Sequence, residues 1–243
     1  MNRVVFNPFS PLMLLFLFGL LILFGFVIII FPIIFLTAIG ATFAKLGFSW
    51  WGAFLILLLT LIGSFINIPI RTLEVRALPA YDRYISVYGR FYRIPQPVRR
   101  TVLAINVGGA LIPIVISLYL LYDSIVVSSG YLLFGLALAG VVVVTVVTKL
   151  VARPVPGLGI ATPFFIPPLA ALISALVLSL FAGGVPGAAV IIAYVSGTLG
   201  TLIGADLLNL GRIAELGAPM ASIGGAGTFD GIFLSGVIAA LLA

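Results

Sequence analysis

The sequence contains no cysteine and no histidine among its 243 residues. Without cysteine there is no disulfide, no thiolate nucleophile and no cysteine-based metal site. Without histidine the commonest general base and the commonest zinc ligand are also missing. No cofactor and no metal are therefore expected. Charge is almost as scarce, at 7% of residues against 63% hydrophobic. A soluble domain of this length cannot bury that much apolar surface, so lipid has to serve as part of the solvent. The longest charged stretch, residues 71–100, is too short to form a domain of its own, and residues 1–243 read as one integral membrane domain.

The charge that is present is unevenly placed. The formal net charge is +6, and seven of the twelve basic residues lie between Arg71 and Arg100. They alternate with Tyr81, Tyr84, Tyr88, Phe91 and Tyr92. Such interleaving would suit base stacking on single-stranded nucleic acid. With apolar runs on both sides, a juxtamembrane loop resting on anionic lipid headgroups is the better reading, and no nucleic-acid partner is expected.

The apolar runs predict an all-α, polytopic transmembrane bundle of about seven spans in the cell membrane. Pro11 to Thr37 is apolar for 27 residues without a charge. That is too long for a signal peptide and reads as an anchor, with Pro32 kinking or ending it. Residues 39–48 read as a loop or short interfacial helix. Further spans are expected at 50–70, 101–122, 130–148, from Pro163 or Pro167 to Ala182, at 188–208 and from about Gly217 to Ala243. The prolines and glycines between Pro154 and Pro163 exclude regular helix, and residues 183–187, GGVPG, form a tight turn. With the arginine-rich loop in the cytoplasm, Arg3, Lys149, Arg153 and Arg212 fall there too, leaving Lys45 alone outside. That distribution implies N-terminus in and C-terminus out.

Two carboxylates stand out in the last two spans. Asp206 and Asp230 sit in glycine-rich, apolar sequence, SGTLGTLIGADLLNLGRIAELGAPMASIGGAGTFDGIFL. An ionisable group at membrane depth costs roughly 2.5–3.5 kcal/mol on insertion scales and marks function by default. Ser196, Gly197, Gly200 and Gly204 place small residues on one face of the sixth span, and Gly227 and Gly231 do so in the seventh, so the two spans are expected to pack together near the aspartates. If the last helix began at Gly217, Asp230 would lie ~20 Å along it while Asp206 lay ~5 Å from its own helix end. If instead residues 223–227 are unwound, helix starts near Thr228, which then caps it, and the two aspartates reach similar depth.

The segment Gly225-Ala226-Gly227-Thr228-Phe229-Asp230-Gly231-Ile232-Phe233 resembles the GxGD intramembrane aspartyl proteases, which include presenilin, signal peptide peptidase and prepilin peptidase. It differs from their motif in that Thr228 and Phe229 separate the second glycine from the aspartate. No Pro-Ala-Leu motif follows the last helix. Most of the chain also resembles a prokaryotic family of multi-pass membrane proteins with a domain of unknown function that share the closing GGAGTFDGIFL pattern. The first resemblance implies a catalytic pair, Asp206 and Asp230, with Gly225 and Gly227 shaping space for an extended segment of a membrane-protein substrate. Two carboxylates sharing a proton can activate water on a peptide carbonyl, one of few peptidase chemistries open to a chain without cysteine or histidine.

The same features describe a cation-coupled carrier of small solutes, in which unwound backbone and the carboxylates bind Na⁺ or H⁺. Thr228 and, from the third span, Asn106 would add oxygens to such a site. A non-catalytic assembly protein, with Asp206 paired to Arg212 and Asp230 capping the last helix, is the third reading.

Overall fold

A computed structural model describes residues 10–75, 84–87, 90–93, 99–128, 131–155, 159–213, 220–225 and 231–243. Helix dominates among them. Four helices are long and apolar enough to cross a membrane: α1 (Pro11–Lys45), α3 (Val107–Val126), α4 (Tyr131–Val151) and α6 (Ala188–Arg212). Three shorter apolar ones join them: α2 (Trp50–Gly63), α5 (Ile166–Ser179) and α7 (Gly231–Leu242). Four long apolar helices mark a membrane protein.

The first apolar run does not stop at Pro32. Ser10 caps α1, its Oγ accepting from the Met13 N–H at 3.2 Å, and Pro11 stands in the first turn where its missing N–H costs nothing. Helix then runs through Pro32 for 35 residues, ~52 Å at 1.5 Å per residue. The expected loop at 39–48 is thus helical as far as Lys45. Burial explains this: Ile39, Gly40, Thr42 and Phe43 pack inward, and the Phe43 ring lies 6.0 Å from that of Tyr194 and 6.4 Å from that of Phe233. Gly47, at φ +89°, ends the turn after the helix.

The second apolar run is shorter as helix than its hydropathy predicts. α2 ends at Gly63, and the residues expected to complete the span form β1 (Asn67–Val75). Pro69 cannot continue a helix interior, and the β-branched residues around it suit a strand. β1 pairs antiparallel with β4 (Arg99–Asn106), Asn67 opposite Asn106, with a register shift between Pro69 and Arg71. The third run therefore enters as a strand and becomes helix only at Val107. β7 (Met220–Ile223) adds in parallel to β4, giving the order β1-β4-β7. Two small antiparallel pairs, β2 (Tyr84–Val87) with β3 (Arg90–Arg93) and β5 (Arg153–Val155) with β6 (Gly159–Ala161), occupy segments expected to be loop. The architecture is mostly helical rather than all-α. Much of the arginine-rich segment, residues 76–83, 88–89 and 94–98, lies outside the described residues.

The tight turn expected at 183–187 is present, with Gly183, Gly184 and Gly187 at φ +66°, +79° and +75°. It leads into α6, the centre of the bundle, where Val190 to Ser196 is buried throughout. Small residues bring its neighbours close, but on two faces rather than one. A Cβ at Gly197 would stand 2.7 Å from the Ser235 carbonyl oxygen on α7. At Gly200 it would stand 2.6 Å from Val144 Cβ, and at Gly204 2.6 Å from the Thr145 carbonyl oxygen, both on α4. On α7 the close approach belongs to Ser235 and Gly236. Gly231, expected there, has nothing within 4 Å of its Cβ position.

Candidate functional site

The lower half of α6 is wound more loosely than an α-helix. Ser196–Gly200 and Leu202–Asp206 are π-helical turns, a form that recurs at functional sites. Asp206 closes the second of them, eighteen residues after Ala188 and so ~27 Å along the helix. Its side chain is half-buried and its Oδ2 accepts the Gly224 N–H at 3.2 Å.

Gly224 follows β7 directly. Both Gly224 and Gly225 adopt left-handed backbone, φ +81° and +77°, which glycine reaches without strain. Continuous helix from Gly217, the first of the two expected geometries, is thereby excluded. Residues 220–223 are strand, the chain turns at the glycines, and the next described residues, Gly231–Leu242, are helix. Gly227, Thr228 and Asp230 lie outside the described residues. Gly224 also packs on the first turn of α3, since a Cβ there would stand 2.5 Å from Ala110 Cβ and 2.7 Å from the Ala110 nitrogen.

Asn106 ties this corner together. Fully buried, it caps α3, its Oδ1 accepting the Gly109 N–H at 2.7 Å. Its Nδ2 donates to the Ser64 carbonyl at 2.8 Å and to Asn67 Oδ1 at 3.1 Å, and that same oxygen accepts the Ser222 hydroxyl at 2.6 Å. The end of α2, the start of α3 and β1 thus meet at the Asn106 amide, and Asn67 extends the link to β7. Both amide hydrogens are committed there, and the carbonyl serves as a helix cap.

Two residues near Asp206, Asn209 and Lys149, complete the end of this helix. Asn209, almost fully buried, donates from Nδ2 to the carbonyls of Gly204 and Ala205 at 3.1 and 2.7 Å, taking up oxygens at the end of the π turn. Lys149, at the end of α4, donates from Nζ to the Leu208 carbonyl and to Asn209 Oδ1, both at 2.6 Å. A cation on the last carbonyls of a helix is favourably placed against its dipole. An asparagine four to five residues past a small-residue run, near the end of an apolar span, is the pattern that would have pointed to this cap. At another helix end, Lys45 Nζ meets the Leu241 carbonyl of α7 at 2.7 Å. Asp206 and the corner around Asn106 thus sit where strand meets helix, with glycine backbone against the carboxylate.

The family described as "Protein of unknown function (DUF1614)" matches residues 61–242, three quarters of the chain. The chain belongs to the DUF1614 family. The match begins within α2 and takes in the whole corner described above, so Asp206, Asn106, Gly224 and Asp230 all lie in the DUF1614 region, whereas α1 precedes it. No curated protein and no solved structure matches the chain, and the resemblance to the GxGD proteases gains no support from these comparisons.

Proposed function

We propose that this DUF1614 protein is a seven-span protein of the cell membrane in which Asp206 and Asp230 form an acid–base pair that hydrolyses peptide bonds of membrane proteins. The observation that carries the reading is the Gly224–Gly225 turn. Residues 220–225 are strand and left-handed turn rather than helix, and the turn is hydrogen-bonded to Asp206 itself. In the reaction one carboxylate takes a proton from water, whose oxygen attacks the scissile carbonyl carbon. The other gives a proton to the carbonyl oxygen, and the amine leaves with a proton as the C–N bond breaks. Gly225 and Gly227, without side chains, would leave room for an extended substrate segment, with Thr228 as a further binding residue.

Purified protein in liposomes with a transmembrane peptide tests this. The unaltered chain should release fragments, and Asp206→Asn and Asp230→Asn should each lower the rate by at least ~10²-fold, since an amide cannot carry the proton. Equal cleavage by either variant would end the proposal. A cation-coupled carrier is favoured by the same π turns beside a carboxylate. It would show instead as a Na⁺-dependent rise in Tm that Asp206→Asn removes.

The orientation belongs to the proposal, with N-terminus in, C-terminus out and the 71–100 segment on anionic headgroups of the cytoplasmic leaflet. Because the chain has no cysteine, single introduced thiols report cleanly. Ser86→Cys and Gly211→Cys should resist an impermeant reagent in intact cells and Gly184→Cys should label. The opposite pattern would invert the topology.

A further inference from the structure

One face of α6 carries hydroxyls at positions i, i+4 and i+7: Tyr194, Thr198 and Thr201, at 0%, 0% and 2% exposure. Thr148 of α4, also fully buried, packs beside Gly204 on the same helix. None of the four has a regular hydrogen-bond partner; Tyr194 and Thr198 interact one turn apart without achieving that geometry. Native interiors keep few unpaired buried hydroxyls, because each forfeits its hydration. Of the five such oxygens among the described residues, four fall on this one helix pair; the fifth is Thr60. The face does not end in lipid. The π turn Leu202–Asp206 begins at the residue after Thr201 and ends on Asp206, so the helix that carries these hydroxyls leads to that carboxylate.

We propose that this face of α6 is hydrated, with ordered waters bonded to Tyr194, Thr198, Thr201 and Thr148 forming a file that leads to Asp206. A buried water holds its place with two to four polar partners. Each hydroxyl offers a donor and acceptors, so a file of waters meets that requirement where direct pairing does not. Its role as the supply of hydrolytic water rests on the peptidase reading, but the hydration does not.

Hydroxyl-radical footprinting by X-ray pulses on the full chain in nanodiscs tests the hydration directly, since radicals form from bound water at the site. Tyr194, although fully buried, is expected to be modified. Thr198→Val with Thr201→Val, close in shape but apolar, should remove most of that modification. Failure of Tyr194 to react in the unaltered chain would overturn the proposal, and so would modification that persists unchanged in the double variant. Should the double variant not fold, the footprint of the unaltered chain still decides. The readout is labelling, so it stands or falls whether or not the chain cleaves a peptide.

Discussion

Gly224→Val is expected to destabilise the fold by about 2–5 kcal/mol: about 1–2 for a side chain held in left-handed backbone and about 1–3 for forced overpacking. Both terms are set by position. The backbone stands at φ +81°, and the added Cβ would fall 2.5 Å from Ala110 Cβ and 2.8 Å from the Gly109 carbonyl carbon. Neither neighbour is a flexible side-chain end that could swing away. A membrane protein of ordinary stability would lose much of its margin, so the Tm in detergent should fall steeply. Gly19→Val in the exposed part of α1, with nothing within 4 Å, provides the control. Equal behaviour of the two variants would mean that β7 does not deliver Gly224 to the start of α3. On the peptidase reading the same substitution should also remove cleavage, because the turn that meets Asp206 could no longer close.

Asn106→Leu should be comparably severe. Leucine fills much of the space but leaves the Ser64 carbonyl and the Gly109 N–H buried without partners, at about 1–3 kcal/mol each, so about 2–6 kcal/mol is expected. Asn67 Oδ1 would keep the Ser222 hydroxyl and lose only its second partner. Asn106→Asp separates the two halves of the role. A carboxylate can still accept the Gly109 N–H as a cap, but as a buried charge it faces the Ser64 carbonyl and Asn67 Oδ1 acceptor to acceptor, so at neutral pH its loss should be at least as large as that of the leucine variant. Thermal unfolding of the three chains in one detergent gives the ordering, and an Asn106→Leu chain as stable as the unaltered one would show that the corner is not held by this amide.

The membrane class was legible because composition alone requires lipid, and α4, α6 and the glycine turn between α5 and α6 follow from uncharged runs and turn chemistry. The strands were not legible. Residues such as Ile66, Ile68 and Ile70, or the VLAI of β4, are short apolar runs that periodicity cannot assign to helix or strand. What decides them is pairing between distant segments, Asn67 with Asn106 and Ile105 with Ile223. Pro32 misled in the other direction, since a proline inside a membrane helix is tolerated when neighbouring groups absorb it. At the site, Asp206 announced itself by its apolar setting. Lys149 and Asn209 did not, because Lys149 reaches a carbonyl 59 residues away and Asn209 turns back on its own helix. Asn106 was picked out as an oxygen donor for a ligand, while its amide is engaged in holding four elements together.

The separation of Asp206 and Asp230 tests the central claim most directly. For a shared proton or one bridging water, their carboxyl oxygens must lie within about 7 Å. A chain carrying Asp206→Cys and Asp230→Cys has no other thiol, so mercuric ion titrated against it reports on this pair alone. The account predicts that one mercuric ion per chain protects both thiols from alkylation in the folded protein and neither single-cysteine variant shows such bridging. Thiols that react independently at every ratio would place the two side chains too far apart for a dyad, and the peptidase reading would fall.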